Sequence, residues 1–156
     1  MGNKKLLLQG ARVLLNACAG KITRESALYE SEPWGFEANE WFINQVVELY
    51  TDLTPEALLK ATQEIEQELG RSRQSAESNQ HYSSRTMDID ILFYNEMVLH
   101  TPQLSIPHPL LQERRFTLMP LAEIAGEYVH PVFKKTIATL LEQCADHGMV
   151  RKINIY

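Results

Sequence analysis

Asp88 and Asp90 are the residues whose type and spacing point most directly to chemistry. Two positions apart on an extended segment, their carboxylates leave one face with roots roughly 6–7 Å apart. Carboxylates that close repel, and one holds a proton unless a cation intervenes. Magnesium favours oxygen ligands, commonly one or two carboxylates together with substrate phosphates. Arg85 lies three residues before Asp88, and Arg71 and Arg73 stand ahead of the intervening stretch. Guanidinium groups grip phosphate oxygens bidentately and keep their charge near pH 7. An aspartate pair bracketed by three arginines is a pattern for a metal–polyphosphate site. His108, between Pro107 and Pro109, adds a donor for phosphate or nucleotide, and Arg114 follows. Trp34, Phe42, Tyr82 and Phe116 offer flat faces for a heterocycle, while the amide of Asn44 can read such a ring's edge. Taken singly, each also reads as packing or as a solvated side chain. Their order along one chain carries the meaning.

The elements that must position these residues follow from periodicity and punctuation. Leu7, Ala11, Leu14 and Leu15 predict a helix over 4–17. Aromatic and β-branched residues from Trp41 to Tyr50 predict a strand. A second helix is capped by Thr54, has Pro55 in its first turn and ends at Gly70, with Leu58, Ala61, Ile65 and Leu69 as its buried stripe. Residues 71–84 show no period and read as a long loop, a length more often functional than decorative. Met87–Tyr94 alternates cleanly and reads as a strand that places Asp88 and Asp90 on one face. A short helical turn before Arg114, a helix over 136–143 and a strand or tail over 150–156 complete the chain. This alternation predicts an α+β fold, an antiparallel sheet with helices on one face.

Composition bounds the function. The 156 residues suit a single domain spanning 1–156. The net charge of −5 argues against a nucleic-acid partner, and the arginines clustered between Gly70 and Phe116 suit a small anion better than a polymer. No apolar run approaches the roughly 18–20 residues of a membrane span, and Gln9 and Arg12 interrupt any signal-peptide core. Cys18 and Cys144 stand far apart without a CxxC and read as reduced thiols of a cytoplasmic protein.

In this order the pieces resemble the 6-hydroxymethyl-7,8-dihydropterin pyrophosphokinase family of folate biosynthesis. The run Arg85-Thr86-Met87-Asp88-Ile89-Asp90-Ile91-Leu92 is similar to that family's R-x-x-D-[LIV]-D-[LIV]-[LIV] signature. Tyr29 through Gly35, Phe42-Ile43-Asn44, Glu66 through Arg73, and Pro107-His108-Pro109 through Phe116 add to the resemblance, which covers 4–131. It implies a ferredoxin-like α+β sandwich and a Mg-dependent diphosphokinase. ATP is the co-substrate, and its terminal pyrophosphoryl unit passes to the pterin hydroxymethyl oxygen with release of AMP. By position, Asp88 and Asp90 would hold two Mg2+ ions. Arg71 and Arg85 would join them in catalysis, and Glu66, Arg71, Arg73, Arg85, His108 and Arg114 would bind ATP. Ser31, Trp34, Phe42, Asn44, Tyr82 and Phe116 would bind the pterin. The expected partners are these two small molecules alone, with no nucleic acid and no membrane, for a monomer or weak oligomer.

Two departures qualify the match. Family members open with a strand and a G-S-N-L-G-like turn, whereas Met1-Gly2-Asn3-Lys4 resembles only the tail of that turn, so the first family strand is expected to be missing. Glu32 stands where a proline is frequent, and Phe42 where a tyrosine is. A non-catalytic pterin- or nucleotide-binding remnant is the alternative, and a nucleotidyl or glycosyl transferase using the same aspartate pair is a third reading.

Overall fold

The computed structural model describes residues 2–32, 41–76 and 87–153, with backbone alone for Gly2, Asn3 and 71–76. Its elements are α1 (Gly2–Cys18), β1 (Lys21–Glu25), β2 (Tyr29–Ser31), β3 (Phe42–Asn44), β4 (Val47–Tyr50) and α2 (Pro55–Ala76). Then come β5 (Leu99–His100), β6 (Ser105–Ile106), a 3-10 turn (Leu111–Glu113), α3 (Arg115–Ala125), α4 (Ile137–Glu142) and β7 (Val150–Lys152). Helices and small antiparallel sheets make this an α+β protein. The chain divides into two compact units, Met1–Ile22 with Leu49–Ile91 and Thr23–Glu48 with Leu92–Tyr156. Strands β1 and β4 pair with each other, and the division falls within both.

In the first unit the expected helical stripes face inward, with Leu7, Leu14 and Ala61 half-buried. α1 buries Ala11 and Leu15, and α2 buries Leu58, Thr62, Ile65 and Leu69. The helices meet closely at Gly10, where an added Cβ would lie 3.1 Å from Leu69 Cδ2. Thr54 caps α2 as its sequence suggests, its hydroxyl accepting from Ala57 N at 3.2 Å. Gly70, however, does not end the helix, which continues to Ala76. A glycine inside a helix costs only about 1 kcal/mol, and the Arg-Ser-Arg-Gln-Ser-Ala run that follows tolerates helix, so six residues read as loop are helical. Gly20 is fixed by close approach instead, since a Cβ there would sit 2.1 Å from Tyr50 O.

In the second unit, β2 lies between β3 and β7, antiparallel to both. The strand expected over 41–50 is two strands because Ser26 intervenes. Ser26 N donates to Val46 O at 2.8 Å, its hydroxyl accepts from Val46 N at 3.0 Å, and Gln45 Nε2 donates to Ser26 O at 2.6 Å. The chain therefore turns at 45–46 and changes partner from β2 to β1. Leu111, Leu118, Leu121, Ile137, Leu140 and Cys144 form the core, covered in part by Val46, Leu92, Phe93 and Tyr128. α3 was not legible in the sequence, because Pro120 sits inside it and lacks the N–H that would bond back to Phe116 O. It forms because Leu118, Pro120 and Leu121 are buried together. Arg24 closes its far end by donating to Ile124 O at 2.6 Å. Thr136 caps α4, accepting from Thr139 N at 3.1 Å. Cys18 is exposed, Cys144 buried, and both are free thiols.

His130 organises the turn before α4. Its Nδ1 accepts from Val132 N and Phe133 N, both at 3.1 Å, while its ring meets Phe93 at 5.5 Å and Phe133 at 4.4 Å. Its carbonyl accepts from the N–H of Lys134, a residue at φ 58°. Burial lowers the His130 pKa from its usual value. Between the lowered folded value and the unfolded value near 6.5, the unfolded chain binds the extra proton, so stability falls as pH drops through that window. Urea midpoints should accordingly decrease from pH 7.5 to 5.5, and His130→Asn, which keeps an acceptor but does not titrate, should flatten that decrease. Gly20→Ala should destabilise by about 1–3 kcal/mol, the range for overpacking, read by the same denaturation.

Candidate functional site

Glu66 lies on α2 between two buried anchors, Ile65 and Leu69, which are 3% and 8% exposed. Its Oε2 accepts from the main-chain N–H of Ile89 at 2.6 Å. A charged acceptor at that length makes one of the stronger hydrogen bonds available to a protein. The bond fastens the segment carrying the aspartates. Met87, Ile89 and Ile91 are partly buried, whereas Asp88 and Asp90 are exposed, which is the alternation the sequence predicts. The expected strand itself is not found among the described residues, and Leu92 and Phe93 both turn to the core of the second unit. Arg71 and Arg73 belong to the last turns of α2. Trp34, Tyr82 and Arg85 lie outside the described residues.

The second unit assembles a separate group around β2. Register sets Ser31 opposite Phe42 and Tyr29 opposite Asn44, so these four side chains share one face of the β2–β3 pair. Ser31 is buried at 4% exposure, Asn44 is half-buried, and the Phe42 ring is 45% exposed. That face looks toward α3. Tyr29 donates its hydroxyl to Glu123 Oε1 at 2.7 Å, and Glu123 also accepts from Ala27 N at 3.2 Å. Burial first, then the hydrogen bond and charge of Glu123, push the Tyr29 pKa up to about 12. The opposite end is tied as well. Glu32 N donates to Met149 O at 3.1 Å, and Glu32 Oε1 accepts from Met149 N at 2.8 Å. Asp146 accepts from Gly148 N at 2.9 Å and from Arg115 N at 3.1 Å. α3 therefore runs antiparallel to β2, with its first turn at the Ser31 end.

Phe116 sits in that first turn, and the guanidinium carbon of Arg114 lies 5.6 Å from its ring centroid. Ser31, Phe42, Arg114 and Phe116 are thus gathered at one end of the β2–α3 layer, with Asn44 one step inward. His108 opens the turn leading to Leu111, its carbonyl accepting from Leu111 N at 3.4 Å. Its N–H donates to Leu92 O at 2.9 Å, and its Nδ1 accepts from Leu110 N at 3.1 Å. An accepting Nδ1 makes Nε2 the protonated nitrogen of the neutral ring, a donor suited to phosphate oxygen. The 150–156 segment is a strand over Val150–Lys152, and it pairs antiparallel with β2. Arg151 joins Glu30 at 2.5 Å and lies 4.6 Å over the Trp41 ring.

Sequence reasoning missed Glu123, Asp146 and the Ile89 amide as positioning groups. A buried tyrosine hydroxyl does call for a partner, but nothing in spacing names one 94 residues away.

A sequence model of the 7,8-dihydro-6-hydroxymethylpterin-pyrophosphokinase family matches residues 1–126. The chain is 42% identical over 128 residues to a 2-amino-4-hydroxy-6-hydroxymethyldihydropteridine pyrophosphokinase of Bacillus subtilis, covering 81% of this chain and 74% of that one. It is 39% identical to a protein of the same name from Porphyromonas gingivalis, covering 84% and 88%. A third, from Methylorubrum extorquens, is 38% identical across 97% of this chain and 92% of its own.

The Tyr29–Glu123 tether sets the depth at which the β2–β3 face meets α3. Tyr29→Phe should cost about 1.5–3 kcal/mol of stability in urea unfolding, the worth of a hydrogen bond to a charged acceptor.

Proposed function

The chain belongs to the 7,8-dihydro-6-hydroxymethylpterin-pyrophosphokinase family, and from that premise we infer that it transfers pyrophosphate from ATP to the hydroxymethyl group of 6-hydroxymethyl-7,8-dihydropterin in folate biosynthesis. The non-catalytic remnant and the nucleotidyl or glycosyl transferase are not favoured, since the similar proteins named above are pyrophosphokinases. The observation that carries the reading is the exposed Asp88–Asp90 pair, held beside α2 within the matched span.

The proposal assigns roles to the side chains. Asp88 and Asp90 fit Mg2+, because both donors are hard oxygens and their exposure leaves further coordination to phosphates and water. Two ions bound there would lower the pKa of the attacking hydroxyl and neutralise charge on the polyphosphate. Ser31, Trp34, Phe42, Asn44, Tyr82 and Phe116 bind the pterin, with aromatic faces on the ring and the Asn44 amide on its edge. The side chains of Arg71, Arg73, Arg85 and Arg114 and the Nε2–H of His108 hold phosphate oxygens.

The pterin oxygen attacks the β-phosphorus, the bond to the α-phosphate oxygen breaks, and AMP departs. Little covalent work falls to the protein, so orientation and fixed charge dominate catalysis. With this reading go a ferredoxin-like arrangement, one catalytic domain over 1–156 and a cytoplasmic monomer or weak oligomer. Neither nucleic acid nor membrane is a partner. Among the described residues no helix is long and apolar enough to cross a membrane.

One assay tests the proposal. ATP, Mg2+ and 6-hydroxymethyl-7,8-dihydropterin should yield AMP and the pterin diphosphate in equal amounts. Asp88→Ala or Asp90→Ala should lower turnover by at least about 10²–10³-fold, the scale for removing a transition-state electrostatic partner. Near-normal Mg-dependent turnover in either variant would refute the assignment.

A further inference from the structure

We propose that Glu66 is a positioning residue for the aspartate pair: its carboxylate holds the Ile89 amide and thereby fixes how Asp88 and Asp90 leave the backbone. The inference rests on the reading that those aspartates hold the metal, and it gives Glu66 a role other than contact with the nucleotide.

Ile89 is the one residue between the two acids, and its N–H belongs to the peptide group that joins it to Asp88. The peptide group is planar, so a fixed Ile89 N–H also fixes the carbonyl and Cα of Asp88. The 2.6 Å bond comes from a residue flanked on its helix by buried Ile65 and Leu69, hence from a rigid support. Residues 87–91 belong to no strand among the described residues, which makes this side-chain bond the more consequential restraint on their path. Glu66 also does not gather with the aspartates as a third ligand, since no group of three His, Cys, Asp or Glu side chains at metal-holding range exists among the described residues. Ligand-orienting partners of this kind typically change metal affinity by about 10–100-fold.

The test compares wild type, Glu66→Ala and Glu66→Gln. Hydrogen exchange of the Ile89 amide, read by NMR on the ligand-free protein, reports the bond itself. Mn2+ binding in the presence of α,β-methylene ATP, read by electron paramagnetic resonance, reports the aspartate pair. In Glu66→Ala, Ile89 exchange should accelerate and Mn2+ affinity should fall about tenfold or more. The KM for ATP at saturating metal should stay within about twofold, because only uniform ground-state binding would move KM alone. Glu66→Gln keeps a side-chain oxygen acceptor and should hold Mn2+ affinity closer to wild type than alanine does, which also answers any loss of folding in the alanine variant.

Unchanged Ile89 exchange and Mn2+ affinity in Glu66→Ala would overturn the proposal. So would equal weakening of metal-free analogue binding in both variants, which would make Glu66 a nucleotide contact. A wild-type protein that releases no AMP would sink the pyrophosphokinase reading alone, because amide exchange is measured without any substrate.

Discussion

A carboxylate on a helix holding one main-chain amide is the constraint on which the acidic pair depends. Side chains two apart on an extended segment share a face only while the backbone between them stays extended. A sheet ladder ordinarily enforces that. Here α2 contributes, because Ile65 and Leu69 lock Glu66 against the first unit and Glu66 holds Ile89. The result is an ordered alternation, partly buried Met87, Ile89 and Ile91 against exposed Asp88 and Asp90. Order is set from the apolar side, which leaves the acids facing water.

The second unit solves a similar problem with different charges. Tyr29, Glu30 and Ser31 are all buried, although two of the three are polar. Burial of that kind is tolerable only when each polar group is satisfied. Tyr29 finds Glu123 on α3, Glu30 finds Arg151 on β7, and Glu32 just beyond the strand receives Met149 N. Glu30, Glu32 and Glu123 are thus ties that hold β2 between its neighbours and against α3. The exposed Phe42 ring and the Arg114–Phe116 pair at the same end gain a firm floor from this.

Legibility in the sequence followed the range of the interaction. Both long helices and the Thr54 cap were readable, because each depends on residues within a turn or two; the Asp88–Asp90 alternation was readable as a pattern, but its tether to Glu66 was not. The end of α2 was misread because glycine only weakens a helix, and its stopping role requires a left-handed backbone that composition does not reveal. α3 was hidden by Pro120, whose cost is offset by the burial of Leu118 and Leu121 with Leu111, Ile137 and Leu140. The strand over 41–50 was divided by Ser26, fifteen or more residues away. Within the candidate site, residue types were legible and tethers were not. Glu123 lies 94 residues from Tyr29, and Arg151 lies 121 from Glu30.

Arg151 brings one more consequence. Its guanidinium rests over the indole of Trp41, one of two tryptophans in the chain, while its own residue is part of β7. The cation–π contact therefore joins the residue just ahead of β3 to β7, on the two sides of β2, by a contact that involves no backbone hydrogen bond.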